Sequence, residues 1–133
     1  MTAKILSAYT DRILYKLEGK DVEISQVGIK EIAQRIRNKE VSPVEIVENL
    51  LNKIEKEDKD CHAFITVNRK EAKREAKKLE KELMNGIDRG PLHGVPISVK
   101  DNIHVKNVRL TNGSIVEEPV PNNDASIVRQ LRK

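Results

Sequence analysis

The chain has 133 residues, 38% of them hydrophobic and 35% charged, with a net charge of +4 from 25 basic and 21 acidic side chains. That is enough apolar material for one core, while the near-balance of charge describes a mixed, solvated surface and not a phosphate-binding stripe. A single cysteine, Cys61, and only Tyr9, Tyr15 and Phe64 as aromatics exclude a disulfide framework, a paired-cysteine metal site and a base-stacking platform for single-stranded nucleic acid.

His62, His93 and His104 have no HxxxH or HExxH spacing, so neither a metal nor a cofactor is expected. With no signal peptide and no apolar run of about 18 residues, the expected location is the cytoplasm, with no membrane contact.

In chain order, Ile5, Leu6, Tyr9, Ile13, Leu14 and Leu17 recur at helical spacing and predict a helix over 3–17, stopped by Gly19. Ile29, Ile32, Ala33 and Ile36 predict a second helix over about 29–39. Ser42-Pro43 is an N-cap followed by proline at the first helical position, and Glu45 completes a capping box. The helix it opens carries Ile46, Val47, Leu50, Leu51 and Ile54 on one face and ends in the charged run 55–60. All three stripes are purely apolar, which is the signature of packing.

Ala63-Phe64-Ile65-Thr66-Val67 predicts a short strand. Residues 69–85 predict a helix whose apolar seam is Ala72, Ala76, Leu79 and Leu83, ended by Gly86 as a left-handed cap. Its glutamates interleave with its lysines, which describes a solvated face more than an RNA-binding one. Two further extended segments are expected at Val95–Val99 and Ile103–Val108. The Pro119 and Pro121 breaks then give way to Asn122-Asn123-Asp124 as the cap of a last helix holding Ile127, Val128 and Leu131.

The most informative stretch is Gly90-Pro91-Leu92-His93-Gly94-Val95-Pro96-Ile97-Ser98-Val99-Lys100-Asp101-Asn102. It reads as a short buried strand ending in a lysine. Locally, Lys100 can be a charge that snorkels past the strand end or an amine that desolvation pushes toward its neutral form. The motifs around it bear on that choice. The run from Gly90 to Asn102, with Thr111-Asn112-Gly113-Ser114 and Pro121-Asn122-Asn123-Asp124-Ala125-Ser126-Ile127-Val128 after it, resembles the amidase signature family, in particular its glutamyl-tRNA(Gln)/aspartyl-tRNA(Asn) amidotransferase branch. The resemblance covers 42–133 and leaves 1–41 as an N-terminal helical segment.

What the resemblance implies is a Ser–cis-Ser–Lys amidohydrolase that cleaves amide carbon–nitrogen bonds. Lys100 then falls at the position of the catalytic base, with Asp101, Asn102, Gly113 and Ser114 supporting it. Asp101 is a neighbour in sequence, but adjacent strand residues point to opposite faces, which suits it to orienting the turn and not the amine. The family's glycine- and serine-rich segment, which carries both serines, has no counterpart here; Ser98 lies two residues before Lys100 on the same strand face, and Ser114 and Ser126 lack the glycine-rich context. The expectation is therefore a truncated, N-terminal portion of an amidase, inactive alone. It would be an incomplete, mainly helical α+β piece with two or three short strands, cut from an α/β parent fold with a large mixed sheet. An amide substrate would require the missing portion, and a partner subunit would be compatible. The alternative is a non-catalytic interaction module that binds a partner subunit or tRNA through its basic helices.

Overall fold

Four helices and one hairpin make up the regular structure in the computed structural model, which describes residues 14–17, 20–23, 27–115 and 120–133. The strands β1 (Leu14–Leu17) and β2 (Lys20–Glu23) pair antiparallel, with Leu14 opposite Glu23 and Leu17 opposite Lys20. This corrects the helix expected over 3–17 as far as residues 14–17 are concerned. Two four-residue runs separated by two positions can close a hairpin ladder between near neighbours. The rest of that expected helix and its stop at Gly19 lie outside the described residues, as does Pro119.

Helix α1 (Ile29–Arg37) buries Ala33 and Ile36, and helix α2 (Pro43–Cys61) buries Ile46, Val47 and Leu51. The start of α2 is as its sequence demands. Ser42 Oγ accepts from the Val44 and Glu45 amides, and the Glu45 carboxylate accepts from the Ser42 amide. Ser42 Oγ–H also donates to Glu80, which ties this cap to helix α3 (Arg69–Met84). The expected seam of α3 faces inward at Ala76 and Leu83, and Gly86, at φ +81°, receives the chain beyond it.

The core lies between α1, α2 and α3. Ile36, Val41, Ile46 and Leu83 form one cluster, with Val95 packed on its edge; Val47, Leu51 and Ala76 form the other. At about 1.5–3 kcal/mol for each fully buried aliphatic side chain, these contacts hold the helical layer together. Helix α4 (Ser126–Leu131) adds the buried Val128.

The strands expected at 63–67, 95–99 and 103–108 do not form, and β1 and β2 are the only sheet partners among the described residues. β-propensity describes fitness for a pleated, half-buried surface and cannot supply one. Among the described residues none of the three segments has a neighbouring strand to complete its ladder, so each runs as turns and irregular backbone. The described structure is therefore mainly helical.

Candidate active-site segment

The segment that leads to Lys100 is anchored at its start. Beyond Gly86, Asp88 accepts from the Gly90 amide at 2.8 Å and from Arg37 Nε at 2.8 Å. The Gly90 amide and then Arg37 hold the Asp88 carboxyl below its ordinary range. Arg89 grips Glu82 of α3 with two bonds of 2.6 and 2.5 Å, which depresses the Glu82 carboxyl and raises the guanidinium. His93 is buried, with one ring nitrogen against the Arg89 amide and the other against the Leu79 carbonyl. Gly94 closes the turn at φ +78°, where an added Cβ would lie 2.8 Å from Pro43 Cγ. The loop thus packs on the first turn of α2 at a point where only glycine fits.

Past this anchor the chain loosens. Val95 is half-buried, but Ile97 and Val99 are 44% and 39% exposed, and Lys100 is exposed as well. The buried strand end expected from sequence is therefore absent, because no strand or helix covers this face among the described residues, and Lys100 lies as the exposed charge that is one of its two local readings. The Lys100 amine has no hydrogen-bond or ion-pair partner there. Beside the segment lies a groove of about 380 Å³, lined by Val47, Ala76 and Leu79 on the helices, by Val95 and Val99, and by Val128 of α4.

Asp101 is engaged by the turn that follows. Its carboxylate accepts from Thr111 Oγ1 at 2.5 Å, from the Thr111 amide at 3.1 Å and from the Gly113 amide at 3.3 Å. The Asn112 amide reaches the Asp101 carbonyl at 3.3 Å. The Thr111 hydroxyl, with the Gly113, Thr111 and Asn112 amides, holds the Asp101 carboxyl below its ordinary range against an opposing desolvation that is second only to the hydroxyl. Asn112 and Gly113 both have positive φ, 54° and 71°, so the turn presents successive amides toward one carboxylate. Gly113 and Ser114 therefore meet Asp101 through the turn, since the Ser114 amide donates to the Thr111 carbonyl at 2.8 Å. Asn102 is exposed.

Two residues of this site were not singled out from sequence. Thr111 is buried and bonds both Asp101 and the Gly113 amide; a threonine two positions before a glycine is a recognisable local-turn signal. His93, read from sequence as lacking a metal partner and as one position of the Gly90–Asn102 run, contacts groups four and fourteen residues away. No local signal could have found the second of these. The expected cap at Asp124 is also corrected. The N-cap of α4 is Ala125, and Asp124 instead accepts from the Lys106 amide at 2.7 Å and pairs with Arg132 at 3.2 Å. No group of histidine, cysteine and carboxylate residues able to hold a metal occurs among the described residues.

The Amidase family model matches residues 45–133, which take in the whole anchored loop, Lys100 and the Asp101–Thr111 turn. The chain belongs to the Amidase family. It is similar to the A subunit of glutamyl-tRNA(Gln) amidotransferase from Carboxydothermus hydrogenoformans, at 34% identity over 84% of this chain and 23% of that protein. It is likewise similar to the A subunit numbered 1 of the same enzyme in Clostridium acetobutylicum, at 36% identity over 84% of this chain and 23% of the relative. Among solved structures, the crystal structure of PAM12A superimposes with a TM-score of 0.75 and 30% identity, over 81% of this chain and 22% of that one. The chain thus spans less than a quarter of the length of these Amidase relatives.

Proposed function

We propose that this chain supplies the lysine-bearing portion of a Ser–cis-Ser–Lys amidase, in which Lys100 is the general base for cleavage of an amide carbon–nitrogen bond. Residues 42–133 are the amidase part, and the complete unit has the α/β/α architecture of the parent family. Residues 1–41 precede it as a separate segment. The observation that carries this reading is the division of labour between neighbours. The carboxylate nearest Lys100 in sequence is held by Thr111 and Gly113, so it does not hold the amine as an ammonium.

In the proposed reaction the neutral amine of Lys100 draws a proton, through a bridging serine, from the nucleophilic serine, whose oxygen attacks the amide carbonyl. The leaving nitrogen takes that proton back, and water then hydrolyses the acyl-enzyme. A lysine can act this way near neutrality only if desolvation lowers its pKa well below about 10.4. Lys100 is exposed here. The desolvation must therefore come from the portion of the unit that carries the serines and covers Ile97 and Val99. Asp101, Asn102, Gly113 and Ser114 support the lysine by fixing the turn behind it. The names of the similar relatives, which are those of amidotransferase components, make glutamine the first amide to test and point to a partner subunit.

The test is reconstitution. The chain is expressed alone and together with the serine-bearing remainder of the Carboxydothermus relative, and ammonia release from glutamine is measured. No release is expected from the chain alone. Release is expected from the pair, with Lys100→Ala lowering it by at least roughly a thousandfold, because triad members act as a unit. A complex that forms and hydrolyses nothing, or one whose activity survives Lys100→Ala, would overturn the reading.

A further inference from the structure

Between Gly94 and Pro121, Leu110 and Thr111 are the buried residues among those described, and Lys100 is tied to that anchor. Upstream of the lysine the chain is unheld. Ile97, Ser98 and Val99 are exposed and make no hydrogen bond among the described residues. Downstream it is held. The Lys100 carbonyl accepts from the Ile103 amide at 3.0 Å, and the Asp101 carbonyl accepts from the Asn112 amide at 3.3 Å. The Asp101 carboxylate then takes the Thr111 amide at 3.1 Å and the Thr111 hydroxyl at 2.5 Å. That hydroxyl works in both directions. An ionised carboxylate can only accept, so the hydroxyl hydrogen goes to Asp101. The oxygen's lone pairs are left for the Gly113 amide, which donates to them at 3.1 Å. The bond from hydroxyl to carboxylate is the shortest in this clamp, and it is charge-assisted, hence stronger than a neutral one.

We infer that Thr111 is a positioning residue for Lys100: acting through Asp101, its hydroxyl fixes the main chain at residues 100 and 101 against the buried Leu110–Thr111 anchor. Its consequence for catalysis rests on the reading of Lys100 as the base. A base must lie within hydrogen-bond reach of the proton it takes, and a misplacement of about 1 Å costs on the order of a hundredfold. With Ile97 to Val99 unheld, the place of the lysine is set from the downstream side. Thr111→Val keeps the branched shape but neither donates nor accepts. The Asp101 carboxylate would then retain only the Thr111 and Gly113 amides, at 3.1 and 3.3 Å. The turn keeps its outline and loses its shortest tie, so the chain at Lys100 loosens without unfolding. Thr111→Ser keeps the hydroxyl and with it the tie.

The experiment has two arms. In the first, nitrogen-15 relaxation on the full chain reads the backbone order parameters at Lys100 and Asp101, with α2 as the internal reference. Thr111→Val should lower both from near the rigid value of about 0.85 toward about 0.6, while Thr111→Ser keeps them. Asp101→Ala removes the other end of the bond from a half-buried position and should reproduce the loss. This arm needs no amide hydrolysis. In the second, the chain is paired with the serine-bearing remainder of the Carboxydothermus relative, and ammonia release from glutamine is measured. Thr111→Val should lower kcat about ten- to hundredfold with KM changed by less than about twofold, and Thr111→Ser should recover kcat to within about threefold. Unchanged order parameters in Thr111→Val overturn the inference. If urea shows that variant unfolded, unchanged order parameters in Asp101→Ala overturn it instead. So does a kcat in Thr111→Ser as low as in Thr111→Val, or a Thr111→Val that raises KM and leaves kcat alone. A wild-type pair that releases no ammonia would overturn the proposed function, and the first arm would still decide the positioning.

Discussion

Asp101 and Gly94 show how single residues set the site before any substrate is present. The carboxylate of Asp101 is depressed by the Thr111 hydroxyl and the amides beside it. A carboxyl whose folded value lies below its unfolded one, here 3.8, stabilises the fold at every pH above that unfolded value. That stabilisation is lost as the pH falls through the lower, folded value. The Asp101–Thr111 turn should therefore keep full amide protection at Thr111 and Gly113 from neutrality down to about pH 4 and lose it only below. Asp101→Asn should weaken protection at neutrality, because one acceptor becomes a donor facing N–H groups, and should abolish the acid step. Hydrogen exchange followed against pH reads both effects, and an unchanged acid step in the variant would refute the assignment. Gly94→Ala is a harsher change. Its Cβ would meet Pro43 Cγ at 2.8 Å in a left-handed backbone, so a loss of about 1–3 kcal/mol is expected in urea unfolding. The glycine was legible as a turn residue, but its packing on Pro43 was not, because that contact joins positions about fifty residues apart.

At the scale of elements, what could be read from sequence divides by the range of the interactions. The start of α2 was fully legible, because a serine, a proline and a glutamate within four positions supply every partner the cap needs. The stripes of α1, α2 and α3 were legible for the same reason, since a helix hydrogen-bonds to itself. The strands expected at 63–67, 95–99 and 103–108 failed because a ladder needs a second chain segment that composition cannot place. Asp124 failed as a cap because a nonlocal donor, the Lys106 amide, took its carboxylate. The local cap makes a quantitative expectation. Ser42→Ala removes the acceptor for two amides and the hydroxyl that donates to Glu80. The loss should be about 1–2 kcal/mol, read as a lower urea midpoint with unchanged slope. A loss below a few tenths would mean that water replaces the cap without penalty.

Taken whole, the molecule is a covered helical layer with an uncovered edge. Ile36 and Ile46 are each only 1% exposed, whereas Ile97, Val99, Ile127 and Leu131 are 39–51% exposed. Val99 and Leu131 also line the groove beside α3. Among the described residues nothing seals that edge. It is the part of the fold that the sequence could announce, through its apolar Val95–Val99 run, but could not complete. Exposed apolar surface of this kind drives association, and a segment with unpaired backbone groups adds a template for pairing. The chain by itself should therefore self-associate as its concentration rises. Ile97→Lys should suppress this, since it adds a charge at the exposed face and removes nothing from the clusters around Ile36 and Val47. Sedimentation velocity across a concentration series measures the first effect, and urea unfolding of the variant checks that stability stays within about 0.5 kcal/mol, as for other surface changes. A chain that remains monomeric throughout the series would show that this edge is closed in solution. In that case the cover that the proposed function requires for Lys100 would have to come from within the chain itself.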